Sequence, residues 1–281
     1  MTGDPPVDVP RSAAPPGVAD APSGPHHVVA PDEAVVAGSS DDGHRLSRRN
    51  SLVFMSLRDI GLFLRSARTD ATTAHARKRR GNAAAFEEAY ARGDPWGAVD
   101  TRYLCRRRKY VTLLGLLPQD RYERVLDIGS GLGHRARALS ARATDVVGVD
   151  IAQSAVDQAR LLHADIPNRH FIQGDPLRLP EILDGGFDLI VLADTFYYLP
   201  PPIDDALLKM LATRVARLLR PGGTLVLCKP ADRDSRLSRR IHDAFAWSPA
   251  WELTAHHRRP FYPVSFLTKS STAATPSVTT T

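Results

Sequence analysis

Cysteine is scarce in this chain, and the little there is lies badly for metal or redox work. Cys105 and Cys228 are its two cysteines, far apart and without C-x-x-C spacing, so both read as reduced packing residues, Cys228 inside a strand. Long apolar runs are missing too. None approaches the ~20 residues a helix needs to cross a bilayer. The first residues are acidic and proline-rich, where a signal peptide would be basic and then apolar, and the chain therefore reads as cytoplasmic. His242, His256 and His257 have no cysteine or carboxylate at ligand spacing, and adjacent histidines on a strand point to opposite faces. No metal is expected.

What is present in quantity is apolar residues and arginine. At 281 residues and 43% hydrophobic, the chain can bury one full core and still carry appendages. The formal charge of +6 is uneven. Up to Gly43 the acids outnumber Arg11, whereas Arg45 to Arg80 is strongly basic with only Asp59 and Asp70 against it. Such a run offers a surface to nucleic acid or an acidic membrane, or it is a solvated arm, which is the commoner outcome.

Residues 1–50 are dominated by Pro, Ala, Gly, Ser and Asp and are expected to be disordered, with Met55 a second candidate start. Residues 51–93 read as a basic helical extension. An amphipathic helix over Ser51 to Leu64 precedes Arg65, Arg68 and Arg77-Lys78-Arg79-Arg80, and either lies on a membrane or caps a cleft of its own domain. A second helix spans Asn82 to Arg92 and a third Tyr103 to Leu117, with Leu104, Val111, Leu114 and Leu117 on its apolar face. Residues 94–269 form the main domain and 270–281 a Ser/Thr-rich tail.

The centre of that domain is Val125-Leu126-Asp127-Ile128-Gly129-Ser130-Gly131-Leu132-Gly133, a strand breaking into three glycines at alternate positions before a helix. Glycine suits such a turn because it adopts positive φ freely and lets a ligand lie against the main chain. The dinucleotide fingerprint wants its third glycine where His134 stands, so a pyrophosphate cradle is disfavoured. The next strand ends on Asp150, placed to hold a ribose diol, followed by Ile151. The third runs into Gly174-Asp175, a second carboxylate suited to an adenine amino group. Strands alternating with helices mean parallel pairing through right-handed crossovers. The expected fold is α/β, doubly wound and mostly parallel. A long helix is expected from Asp204 to Arg220, stopped by Pro221-Gly222-Gly223, which opens a strand at Thr224.

Together with Phe187-Asp188-Leu189-Ile190-Val191 and Leu219-Arg220-Pro221-Gly222-Gly223-Thr224-Leu225, these stretches resemble the ordered motifs of the class I S-adenosylmethionine-dependent methyltransferases. Asp94-Pro95-Trp96, Arg107-Arg108-Lys109-Tyr110 and Tyr197-Tyr198-Leu199 are similar, more narrowly, to the branch of rhizobial nodulation N-methyltransferases. The resemblance implies a Rossmann-like sheet of seven strands, S-adenosyl-L-methionine as cofactor, and a small-molecule acceptor, an amino sugar or glycoconjugate. It implies cofactor contacts from Asp127, Gly129, Ser130, Gly131, Asp150, Ile151, Gly174 and Asp175, and from one of Arg107 or Arg108 to the methionyl carboxylate, the alternative for Arg106 to Arg108 being a solvated face. Asp127 is expected to fix the glycine loop through backbone hydrogen bonds.

Methyl transfer from a sulfonium is an in-line displacement, so the protein must align the groups and exclude water. Asp194, just after the fourth strand, is the candidate to orient or deprotonate an amine, with Tyr197 and Tyr198 as aromatic walls. The equally weighted alternative is a turn cap and two packing tyrosines. The nodulation branch pattern has Glu where Asp194 stands, a carboxylate one carbon longer. Ala193-Asp194-Thr195-Phe196 lacks the proline-rich tetrapeptide of nucleic-acid methyltransferases, so no nucleic acid is expected in catalysis. The rival readings are a nicotinamide-dependent oxidoreductase, and a non-catalytic module whose basic arm contacts polyanions or membrane.

Overall fold

The computed structural model describes residues 57–97, 104–228, 235–246, 250–257 and 264–270. The readings for residues 1–50 and 271–281 lie outside them. Three helices come first, α1 (Leu57–Arg80), α2 (Asn82–Ala91) and α3 (Leu104–Leu116). Then follow β1 (Tyr122–Ile128), α4 (His134–Leu139), β2 (Ala143–Asp150), α5 (Gln153–Leu162), β3 (Arg169–Gln173) and β4 (Phe187–Ala193). The chain closes with α6 (Asp205–Leu218), β5 (Leu219–Cys228), α7 (Ser235–Ala246), β6 (Trp251–His257) and β7 (Val264–Lys269).

The strands form one sheet in the order β3-β2-β1-β4-β5-β7-β6, parallel except for β7, which runs antiparallel to both its neighbours. The order reverses beside β1, and that crevice is where an open α/β sheet places its ligand. Every residue of β4 is buried, as a central strand covered on both faces requires. Alternate strand residues divide between two cores. Leu126, Ile190 and Leu225 pack with α6 and α7 on one face, and Val125, Leu189 and Val226 with α3, α4 and α5 on the other.

Several boundaries and faces differ from the expectation. The long helix stops at Leu218, and β5 starts at Leu219 rather than Thr224. Leu218 and Leu219 are both fully buried, so the chain passes straight into the sheet. Leu219 pairs with Phe187, Pro221-Gly222-Gly223 bulges out, and pairing resumes at Thr224 opposite Leu189. Asp204 is the N-cap of α6, accepting from Leu207 N–H at 2.8 Å. On α3, Val111 is exposed and Leu113 buried, because the inward face is rotated from the expected one. Pairing of β7 with β5 begins at Val264, opposite Cys228.

Helix α1 runs unbroken through Gly61, so Arg65, Arg68 and the Arg77 to Arg80 cluster lie within it rather than after it. At Gly81, φ 83 turns the chain back and α2 packs on α1. Glu87 of α2 accepts from Ser154 N–H at the start of α5 at 3.2 Å, and Gln158 donates to Tyr90 O at 2.8 Å. These contacts lay α2 along the sheet edge that carries the glycine turn. No helix among the described residues is long and apolar enough to cross a membrane.

Candidate active site

The turn after β1 needs glycine for two reasons at once. Gly129, Gly131 and Gly133 have φ 71, 53 and 79, in the left-handed region. A Cβ on Gly129 would stand 2.6 Å from Thr195 Oγ1, and one on Gly131 2.7 Å from Tyr90 Oη. The backbone here is approached closely by side chains from β4's far end and from α2. Gly129 and Ser130 N–H both donate to Val149 O, at 2.8 and 3.0 Å, tying the turn to β2.

Asp127 takes its backbone hydrogen bond from Ala136 in α4, not from the glycine turn itself. It is fully buried and ion-paired with Arg135 of α4, a residue the sequence reading passed over. Arg135 also donates to Ala193 O at 3.2 Å and to Ile128 O and Gly129 O at 3.1 Å each. The carbonyls where β1 and β4 end have run out of ladder partners, and one guanidinium with several donors satisfies three of them. Burial opposes the charge on Arg135, but the Asp127 carboxylate more than offsets it and holds the guanidinium protonated.

Asp150, 7% exposed, accepts from Gly131 N–H at 2.9 Å and Ala152 N–H at 3.1 Å. Burial raises its pKa, while those two backbone donors work the other way. A carboxylate offers about four acceptor sites, so these backbone donors leave capacity for a ligand diol. Asp175 Oδ1 accepts from Leu177 N–H at 2.9 Å. Asp150, Ile151, Gly174 and Asp175 line one cleft of about 650 Å³ with Gly129, Ser130 and Gly131.

The opposite wall comes from elements the sequence reading kept apart. Tyr198 Oη and Trp96 Nε1 both donate to Asp70 of α1, at 2.8 and 2.9 Å. Phe86 stands edge-on to Tyr198 at 5.3 Å, and Trp96 lies 5.6 Å from Tyr198. Asp194, at φ 59, pairs with Lys109 of α3 at the end of β4. Burial works against the Lys109 ammonium, yet Asp194 beside it leaves its pKa raised. The side chains of Tyr197 and Arg108 lie outside the described residues; their backbones belong to the helical turn Phe196–Tyr198 and to α3. Lys109, within a motif already singled out, was the legible signal. Asp70, an isolated acid in a basic run, was not. Among the described residues no group of three or more His, Cys, Asp or Glu is placed to hold a metal.

A nucleoside-type cofactor fits this cleft. Its volume lies in the range of small-molecule sites. Ser130 Oγ, buried at the glycine turn, has no hydrogen-bond partner among the described residues. We expect Asp150→Ala to weaken S-adenosylmethionine binding by about 2–4 kcal/mol, or roughly 30- to 700-fold, by removing ribose acceptors and releasing Gly131 N–H. Unchanged affinity by calorimetry, in a mutant with an intact melting transition, removes Asp150 from the site.

Behind the turn, His163 Nε2 donates to Leu132 O at 2.9 Å, because a carbonyl can only accept. Its Nδ1 is buried without a partner, and burial lowers the pKa to about 4. The unfolded chain protonates its histidine near 6.5 while the folded one does not. Stability is therefore full above pH 6.5 and lost as pH falls toward 4, by about 2 kcal/mol between pH 7 and 5. Urea midpoints should show His163→Gln losing less over that interval than the parent; equal losses assign the acid sensitivity elsewhere.

A doubly wound sheet with its glycine turn and strand-end carboxylates over one cleft defines the class I methyltransferase architecture. Residues 125–223 match the family described as "Methyltransferase domain". That match marks residues 125–223 as a methyltransferase domain within the chain. Trans-aconitate 2-methyltransferase of Deinococcus radiodurans is 31% identical over 122 residues, 43% of this chain and 43% of that protein. Demethylmenaquinone methyltransferase of Beutenbergia cavernae is 32% identical over 123 residues, 44% of this chain and 46% of that protein. The chain thus spans less than half the length of these curated relatives. Among solved structures, N-methyltransferase NodS of Bradyrhizobium japonicum WM9 in complex with S-adenosyl-l-homocysteine shares the fold. It is 20% identical with a TM-score of 0.56, covering 67% of this chain and 98% of that one.

Proposed function

We propose that this chain transfers a methyl group from S-adenosylmethionine to a nitrogen or oxygen of a small molecule, with an amino sugar or glycoconjugate as the acceptor class. The observation that carries the reading is a single cleft with two unlike walls. One wall is the glycine turn with Asp150 and Asp175, chemistry for a nucleoside. The other is Phe86, Trp96 and Tyr198 around Asp70, with Asp194 and Lys109 at the sheet edge, chemistry for a polar acceptor with apolar faces. The amino-sugar choice draws on the motif resemblance and on NodS, an N-methyltransferase of the same fold.

When bound, the cofactor supplies an electrophilic methyl on a sulfonium. The protein's share is to align an acceptor and to keep water out. Asp194 accepts a hydrogen bond from the incoming nucleophile and takes its proton. Lys109 holds that carboxylate in place, and it also stabilises the charged form, which makes Asp194 a weaker base but a better-oriented one. Tyr198 and Trp96, each anchored to Asp70, present ring faces and edges to the acceptor.

Calorimetric titration with S-adenosylmethionine, S-adenosylhomocysteine and a nicotinamide dinucleotide tests the cofactor half. Preference for the dinucleotide overturns the reading. A labelled-methyl screen of amines, hydroxyl compounds, amino sugars, thiols and carbon acceptors tests the acceptor half, and transfer confined to carbon or sulfur acceptors overturns it.

A further inference from the structure

A second cavity, of about 390 Å³, opens between α1 and α2 and shares Asp94 with the main cleft. Its walls carry Arg65, Arg79, Arg80, Arg92 and His75, against the carboxylates of Glu88 and Asp94. Four guanidinium groups face two acids, a surplus of two positive charges before His75 is counted. Glu88 does not spread its charge over the groove. One of its oxygens takes Arg80 at 2.8 Å and the other Arg92 at 2.5 Å, so a single carboxylate aims two guanidinium groups. Arg65 donates to the Asp94 backbone carbonyl, a bond that positions it without neutralising it. Asp70 of α1 accepts from Tyr198 and Trp96 at the main cleft.

The groove's hydroxyls point recognition toward the arginines. Thr69 Oγ1 donates to Pro95 O at 2.7 Å, and Thr72 Oγ1 donates to helix carbonyls at 2.9 and 3.1 Å. Their hydrogens are spent within the protein. Beside Thr73 and His75, the groove offers a ligand four guanidinium groups, whose planar fork matches phosphate oxygens in pairs. Exposed Arg68 and Lys78 on α1 add to the positive field around the groove. The basic stretch noted in the sequence is thus gathered by α1 and α2 into a concave site beside the cleft.

We propose that the groove between α1 and α2 binds a phosphate-bearing small molecule through Arg65, Arg79, Arg80 and Arg92. The phosphate belongs either to the methyl acceptor, which then reaches past Asp94 into the cleft, or to a separate ligand. The site itself does not depend on methyl transfer, so its failure and the failure of the methyltransferase reading are separate results.

The probe is inorganic pyrophosphate, titrated calorimetrically into the full-length chain at low ionic strength. We expect saturable binding of one pyrophosphate per chain that weakens as salt rises. Arg79→Glu and Arg65→Glu should each weaken it about tenfold, and Arg79→Lys less, because charge is kept while the paired donors are lost. S-adenosylmethionine affinity measured on the same samples should stay at the parent value and shows that the variants are folded. Absence of saturable binding at low salt overturns the proposal, as an ion network only. So does parent-level affinity in both reversed variants, which would move binding to the arginines near residue 48. Pyrophosphate competing with a phosphorylated acceptor identifies the acceptor as the source of the phosphate. Binding without such competition identifies a separate ligand.

Discussion

Replacing Asp194 by Asn is expected to lower methyl transfer by about 10²–10⁴-fold, the usual worth of a general base, while S-adenosylmethionine affinity stays near the parent value. Asn is the informative choice because Asp194 sits at φ 59, a conformation Asn tolerates better than most residues. The shape and the backbone bond from Asp194 N–H to Cys228 O at 2.9 Å are both retained. What is lost is the charge, and with it the partner of Lys109. Lys109 is only partly buried, so water can take up its charge and the variant should stay folded. Lys109→Met separates positioning from proton transfer. It removes the Lys109 ion pair while keeping the Asp194 carboxylate, and turnover should fall less than in Asp194→Asn. Steady-state kinetics on an acceptor from the screen decides. Activity within a few-fold of the parent in Asp194→Asn means that alignment alone carries the reaction. Simultaneous loss of cofactor binding moves Asp194 to the cofactor side and shifts the catalytic role to Tyr197 or Tyr198.

The largest effect on stability is expected at Asp127. Asp127→Asn leaves the Arg135 guanidinium buried without its counter-charge, which costs about 3–5 kcal/mol, a large part of the ~5–15 kcal/mol that holds a domain folded. Arg135→Met should be as severe for a different reason. It strands the Asp127 carboxylate and removes the Arg135 donations to Ile128 O, Gly129 O and Ala193 O, leaving the single Thr195 hydroxyl to serve either Ile128 O or Ala193 O. The double replacement Asp127→Leu with Arg135→Met should recover only part of the loss, because an apolar pair repays the charges but not the three carbonyls. Urea unfolding measures the stability, and calorimetry with S-adenosylmethionine measures what remains of the turn. Full recovery of both in the double variant would show that the pair only fills space.

Other residues depend on these through geometry rather than contact. The glycine turn is bounded by Arg135 beneath, Tyr90 above and Asp150 beside it, so a change at any of the three alters the same backbone. Additivity among them is not expected.

Much of the fold was legible in the sequence because it rests on local periodicity. The apolar run of β4, the three alternating glycines and the Pro-Gly-Gly after α6 each state their own conformation through burial, positive φ or a missing donor. Asp150 and Asp175 were legible for the same reason: in a parallel sheet the residue ending a strand is placed by topology alone. The side chains that meet across the cleft were not. Asp70 lies 128 positions from Tyr198, and Lys109 lies 85 from Asp194. Nothing in either local sequence encodes its partner. Arg135 reads as an ordinary surface arginine of a short helix until the ends of β1 and β4 are brought over it, and the basic run of α1 reads as a solvated face until α2 folds back at Gly81. Near-neighbour sterics and patterning alone specify the sheet, the glycine turn and the carboxylates at the strand ends. The aromatic wall around Asp70 and the Lys109–Asp194 pair needed the folded chain, since ion pairs and ring contacts between distant segments exist only after packing has set their distances.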